Sequence, residues 1–269
     1  MAEYHSGGVR IYYEVSGEGI PLIMLHGFSL DRRMWNRQDG VFAEKYKVIT
    51  PDARGHGLSE APRTDYARED RTTDIEKLLE HLNIDRFHLI GFSMGGGDAL
   101  AYAIDHQERL LSLTLAGTVA AGWQPPRRFK DFTGPARQDG VEEARKQYME
   151  SILSYYEKRN SQLKEEMQRM MLDFSGVPWI DPMKGKYKKR DDISLSEKVS
   201  IPVLLVVGQR DIIFRPLAEQ LAGLMKTSKL VVIKNAGHMV NMEAPDEFNL
   251  VVLDFLKNVE SSAEIGDDG

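Results

Sequence analysis

The chain contains no cysteine. That absence excludes disulfides, thiolate nucleophiles and cysteine-built metal sites, and it removes redox usage as a guide to compartment. Long apolar runs are missing too: no stretch approaches the ~18–20 residues that a membrane span requires. Residues Met1 to Arg10 are polar, unlike the apolar core of a signal peptide. Nor is there an excess of positive charge. With 35 Lys+Arg against 41 Asp+Glu the net charge is -6, and a mildly acidic surface repels nucleic-acid phosphates. No two histidines stand at ligand spacing with carboxylates, so no metal is implied, and no cofactor. These absences describe a soluble, cytoplasmic chain, monomer or homodimer, that works on a small molecule without nucleic acid or membrane.

What is present is a sizeable apolar fraction, 42% of 269 residues, enough for one large domain with an insertion. Val9 to Val15 alternates like a half-exposed strand. Pro21 to Leu25, Tyr46 to Thr50, Phe87 to Ile90, Leu111 to Leu115, Val203 to Val207 and Leu230 to Ile233 are short continuous apolar runs, as in strands covered on both faces. Asp70 to Leu82 and Pro245 to Asn258 carry helical spacing, the second opening with proline at its first turn. The alternation predicts an α/β fold with a mostly parallel sheet of about eight strands and helices on both faces. From Gly122 to Ser200 the rhythm breaks: no strand pattern appears, and Val141 to Phe174 is helix-prone. The charge changes as well, to +3 here against -9 for the rest. The expected organisation is a core of 1–121 and 200–260, an inserted helical cap at 122–199, and a flexible acidic tail at 261–269.

Chemistry concentrates at Gly91-Phe92-Ser93-Met94-Gly95, directly after one strand and before a helical stretch. A serine raised on a sharp strand-to-helix turn needs small residues two before and two after it, and Gly91 and Gly95 supply them. A neutral serine is a poor nucleophile and needs a base oriented by a third group. Asp211 follows the strand Val203 to Val207, and His238 follows Leu230 to Ile233, in the order Ser, Asp, His. The other acid position, after Leu111 to Leu115, holds Ala116-Gly117-Thr118 and no carboxylate. Ser93, Asp211 and His238 are therefore the expected nucleophile, acid and base of an acyl transfer. The oxyanion that forms needs preorganised donors, expected at the backbone N–H groups of Met94 and of Phe28, where Gly27 lets the chain turn. His26 is expected to brace that loop by hydrogen bonding, and His56 to hold a tight polar turn. His5, His81, His88 and His106 have no such context.

With Leu25-His26-Gly27-Phe28, Asp52-Ala53-Arg54-Gly55-His56-Gly57, the serine motif, Gly208-Gln209-Arg210-Asp211 and Ala236-Gly237-His238 in order, the chain resembles the α/β-hydrolase fold family over nearly all its length except the cap and tail. Within that family it resembles bacterial carboxylesterases, enol-lactonases and cofactor-free haloperoxidases. Serine at position 93 separates it from haloalkane dehalogenases and epoxide hydrolases, which carry aspartate there. The resemblance implies a serine hydrolase cleaving a small, fairly apolar ester or lactone through an acyl-enzyme. Two alternatives share the triad: a carbon–carbon bond hydrolase of aromatic degradation, and a ligand-binding or signalling protein of slow turnover. Trp35, Trp123, Tyr148, Ile152, Met170, Met171, Trp179 and Met239 are the candidate pocket residues. The basic run Lys184, Lys186, Lys188, Lys189 and Arg190 reads as a solvated loop.

Overall fold

In the computed structural model, which describes residues 2–124, 131–156, 159–181 and 189–267 (side chains to 262), the apolar runs become one sheet. Its strands are β1 (Ala2–Ser6), β2 (Val9–Ser16), β3 (Ile20–Leu25), β4 (Tyr46–Pro51), β5 (Phe87–Phe92), β6 (Leu110–Ala116), β7 (Val203–Gly208) and β8 (Ser228–Ile233). They lie in the order β1-β2-β4-β3-β5-β6-β7-β8. β2 is antiparallel to both neighbours, and the pairings from β4 to β8 are parallel. The helices are α1 (Asn36–Phe42), α2 (Arg68–Leu82), α3 (Met94–His106), α4 (Thr133–Gln138), α5 (Val141–Tyr156), α6 (Ser161–Asp173), α7 (Val177–Ile180), α8 (Asp192–Leu195), α9 (Arg215–Leu224), α10 (Val240–Glu243) and α11 (Pro245–Asp267).

The continuous apolar runs have a direct cause: alternate residues of each central strand feed two different cores. Ile23, Leu25, Leu89, Leu205 and Val207 pack with Leu78, Leu79, Leu100 and Tyr102 on one face. Leu22, Met24, Ile90, Leu204 and Val206 pack with Phe42, Phe248, Val252 and Leu256 on the other. Both sets are buried, and each such side chain contributes about 1.5–3 kcal/mol by leaving water. Because β3 and β5 to β8 are parallel, their carboxyl ends share one edge, and the loops that follow them are neighbours.

Helices α4 to α8 all lie between β6 and β7, and no strand interrupts them among the described residues. Long side chains bind them to the core: Arg37 of α1 grips Glu166 of α6 with two bonds of 2.6 and 2.7 Å. Two elements go beyond the sequence reading. The N-terminal residues form β1, an edge strand hairpinned to β2 through Gly7 and Gly8, both at positive φ. And α11 does not stop at Asn258 but runs to Asp267. Glu260 anchors that last stretch by accepting a hydrogen bond of 2.7 Å from Tyr46, so the segment from 261 begins as helix rather than as a loose tail. Residues 268–269 lie outside the described residues.

Candidate active site

Ser93 sits alone between β5 and α3, with φ 50° and ψ -108°. A non-glycine residue held there costs of the order of 1–3 kcal/mol, which the surroundings must supply. They do so through the backbone: Ser93 N–H donates to Ala116 O at 3.0 Å, and Ser93 O accepts from Gly97 and Val119 at 3.0 and 3.2 Å. The flanking glycines are steric necessities. A Cβ on Gly91 would lie 2.3 Å from Gly95 O, and one on Gly95 2.6 Å from both His26 O and Leu25 O. The result is a half-buried hydroxyl at the carboxyl edge of the sheet.

Asp211 lies in the turn after β7 and divides its two oxygens between two tasks. Oδ1 accepts from the N–H groups of Ile213 and Phe214 at 3.3 and 3.0 Å, steadying the turn before α9. Oδ2 accepts from His238 Nδ1 at 2.8 Å. Burial pushes the carboxyl up, but the hydrogen bond and charge of His238 and the two backbone donors outweigh it and hold Asp211 below the usual carboxylate range. The imidazole stacks on Phe214 at 4.3 Å and 26°, and tilts against Phe92 at 4.9 Å. Gly117 follows the residue whose carbonyl holds Ser93, and a Cβ there would lie 3.1 Å from the His238 ring. Serine and histidine thus border the same end of β6. Ser93 Oγ makes no hydrogen bond to His238 among the described residues; such contacts commonly tighten only when substrate binds.

Two backbone donors, one next to Ser93 in sequence and one in the loop after β3, have no backbone acceptor among the described residues. Met94 N–H opens α3, where the first turn has no intrahelical partner, and Phe28 N–H follows Gly27; neither donates to another described residue. His26 secures the second loop. Ala53 N–H donates to its Nε2 at 2.8 Å, so the proton sits on Nδ1, which donates to Gly27 O at 2.8 Å. Gly95 N–H in turn donates to His26 O at 3.1 Å, fastening the loop to the serine turn. His56 is buried, and desolvation above all holds it well below the ordinary histidine range.

The pocket candidates divide by position. Trp35 is fully buried in the core, its ring tilted against Phe248 at 6.3 Å. Met170, Met171 and Met239 are buried in that same core cluster, with Ile152 packed on its rim. Trp179 is buried and packs edge-on to Phe174 and against Phe28. Tyr148 lies beside Phe28 at 6.3 Å and accepts a hydrogen bond from Ser29 Oγ at 3.0 Å, which ties α5 to the loop carrying the Phe28 N–H. Trp123 is one ring removed from the imidazole, tilted against Phe214 at 5.2 Å and 40°. A cavity of about 640 Å³ lined by Asp131, Phe132, Pro135, Gln147, Glu150 and Ser151 contains neither Ser93 nor His238. In the basic run, Lys184, Lys186 and Lys188 lie outside the described residues. Arg190 is not solvated but paired with Asp105 and Asp192, each at 2.5 Å.

Sequence reading missed two neighbours of the histidine. Phe214 supplies the ring under the imidazole. Glu243, at the end of the short helix α10, accepts hydrogen bonds from the N–H groups on either side of His238. Its only sequence signal is an acidic residue one helical turn beyond the histidine loop, which is too common to single out.

A family model described as the alpha/beta hydrolase fold matches residues 20–245. The chain is 29% identical to the 2-hydroxy-6-oxo-6-phenylhexa-2,4-dienoate hydrolase of Burkholderia cepacia, over 93% of this chain and 92% of that one. It is 26% identical to the 3-oxoadipate enol-lactonase 1 of Acinetobacter baylyi, over 97% and 100% of the two chains. Among solved structures, a thermophilic esterase from Thermogutta terrifontis superposes with TM-score 0.83 at 28% identity, covering 96% of this chain and 97% of its own.

Proposed function

This chain belongs to the α/β-hydrolase fold family, and from that premise we propose that it is a serine hydrolase cleaving a small, fairly apolar carboxylic ester or lactone. The observation that carries the reading is the buried Asp211 bonded to His238 Nδ1 at 2.8 Å, beside the end of β6 that also holds Ser93. With Nδ1–H donated to Asp211, Nε2 is left as the acceptor that a general base requires. Ser93 Oγ attacks the acyl carbon while Nε2 takes its proton. Asp211 stabilises the imidazolium, and the tetrahedral oxygen settles between the Met94 and Phe28 N–H groups. Nε2 then protonates the leaving alkoxide, and water repeats the sequence on the acyl-enzyme. Helices α4 to α8, which reach the oxyanion loop through Tyr148, act as the cap that sets the shape of the acyl pocket.

Hydrolysis of p-nitrophenyl esters from acetate to decanoate, with Ser93→Ala as control, tests this. Serine-dependent turnover with a chain-length optimum is expected. Retention of more than a few percent of turnover by Ser93→Ala overturns the assignment. A second reading, cleavage of a carbon–carbon bond by the same three residues, draws on the likeness to the Burkholderia cepacia hydrolase. Turnover of a dienol-diketone with negligible esterase activity selects it.

A further inference from the structure

We infer that Glu243 is a positioning residue for His238, fixing the backbone that carries the imidazole and joining it to helix α5 of the insertion. The inference rests on the reading of His238 as general base. Asp211 fixes how the ring is rotated, and Glu243 acts on what lies beneath it. Its Oε2 accepts from Gly237 N–H at 2.9 Å and its Oε1 from Met239 N–H at 3.1 Å, so both peptide donors flanking His238 converge on one carboxylate. A third donor arrives from the insertion: Tyr156 OH donates to the same Oε1 at 3.1 Å. Tyr156 is buried, and burial first, then the charge of Glu243, keeps its phenol protonated and donating. The fit leaves little slack. A Cβ on Gly237 would lie 2.9 Å from Glu243 Oε1 and 3.1 Å from Tyr155 OH.

A carboxylate accepts from all three donors, whereas a carboxamide has a single acceptor oxygen and turns its NH2 toward one of them. Glu243→Gln therefore preserves shape while breaking the grip. Among the described residues, the charged and titratable groups around the His238 loop are Asp211 on Nδ1, Glu243, Tyr155 and Tyr156 on the α5 side, and Arg210, which bonds Asn235 at 3.1 Å. Removing the negative charge of Glu243 makes the imidazolium less stable, so the acid limb of the kcat/KM profile moves to lower pH.

The experiment measures kcat, KM and the pH profile for a p-nitrophenyl ester, with thermal melts, in wild type, Glu243→Gln, Tyr156→Phe and Ser93→Ala. In Glu243→Gln, kcat falls about tenfold to hundredfold with KM nearly constant, and the acid limb shifts down. Tyr156→Phe, which keeps the carboxylate and loses one hydrogen bond, lowers kcat about twofold to tenfold. A folded Glu243→Gln with wild-type kcat and an unmoved limb, whatever its melting temperature, overturns the inference. Should that variant not fold, full kcat in Tyr156→Phe does the same. Turnover by Ser93→Ala is a different failure: it removes the reading of His238 on which the inference stands.

Discussion

At residue scale, the candidate site divides the two oxygens of a carboxylate between different tasks. Asp211 shows this most clearly, with one oxygen on the turn and the other on the imidazole. Asp211→Asn offers Nδ1 either a carbonyl oxygen of weaker basicity or an amide donor that forces the wrong tautomer. The expected loss in kcat is about 10³–10⁴-fold, with the circular dichroism spectrum unchanged. A loss under tenfold would mean that another group orients His238. Gly95 makes the complementary case for backbone. Its missing Cβ is what lets the serine turn approach His26 O and Leu25 O. Under the proposed mechanism, in which the Phe28 and Met94 N–H groups hold the oxyanion together, Gly95→Ala pushes the Leu25–His26 backbone and the loop that follows it away from the serine turn. That change is expected to lower kcat about 10²–10³-fold, the usual effect of removing one oxyanion donor. Its check is turnover of a p-nitrophenyl ester by a variant still labelled at Ser93 with a fluorophosphonate.

At the scale of elements, what was legible followed from locality. The serine turn is one five-residue motif, and Asp211 and His238 each follow an apolar strand, so strand reading alone places all three. Contacts between distant segments left no trace in the sequence: Ser29 with Tyr148, Arg37 with Glu166, and Tyr156 with Glu243. The depth of Trp35 in the core was hidden for the same reason, since nothing near it announces that Phe248 will pack on it. β1 escaped because a short edge strand needs no continuous apolar run; its signal was the Gly7-Gly8 turn. The continuation of α11 past Asn258 escaped because the contact that supports it is with a partner on another element. Glu260 reaches Tyr46 of β4 at 2.7 Å and stands 3.4 Å from His88 of β5. Glu260→Ala should therefore cost about 1–2 kcal/mol, seen as a fall in Tm of a few degrees. An unchanged melt would show that the last turns of α11 are held by helical bonds alone.

At the scale of the whole molecule, buried histidines predict how the protein meets acid. His88 is fully buried in β5, with Nδ1 on Ser112 Oγ at 2.7 Å, and burial pushes it down to about 4. Its folded pKa lies below its unfolded one. Its contribution to stability is thus complete above the ordinary histidine range and is lost as pH falls toward 4, where the unfolded chain takes a proton that the native state refuses. The full window amounts to roughly 3 kcal/mol, a large share of the stability of a typical domain. His56, also buried and also held below its ordinary range, acts in the same direction. Asp211 and Asp31 follow later, since both are held low and lose their contribution only as pH falls below the usual carboxylate values. Acid destabilisation through these two histidines should accordingly begin near pH 6, above the range in which Asp211 and Asp31 lose their contribution. Urea unfolding at pH 7 and pH 4.5 tests this in wild type and in His88→Asn, which keeps a polar partner for Ser112 but cannot titrate. The wild type should lose about 2–3 kcal/mol more than the variant between the two pH values. An equal loss in both would mean that His88 takes up its proton inside the fold, with Glu260 as the counter-charge at 3.4 Å, and that the acid weakness of the molecule lies elsewhere.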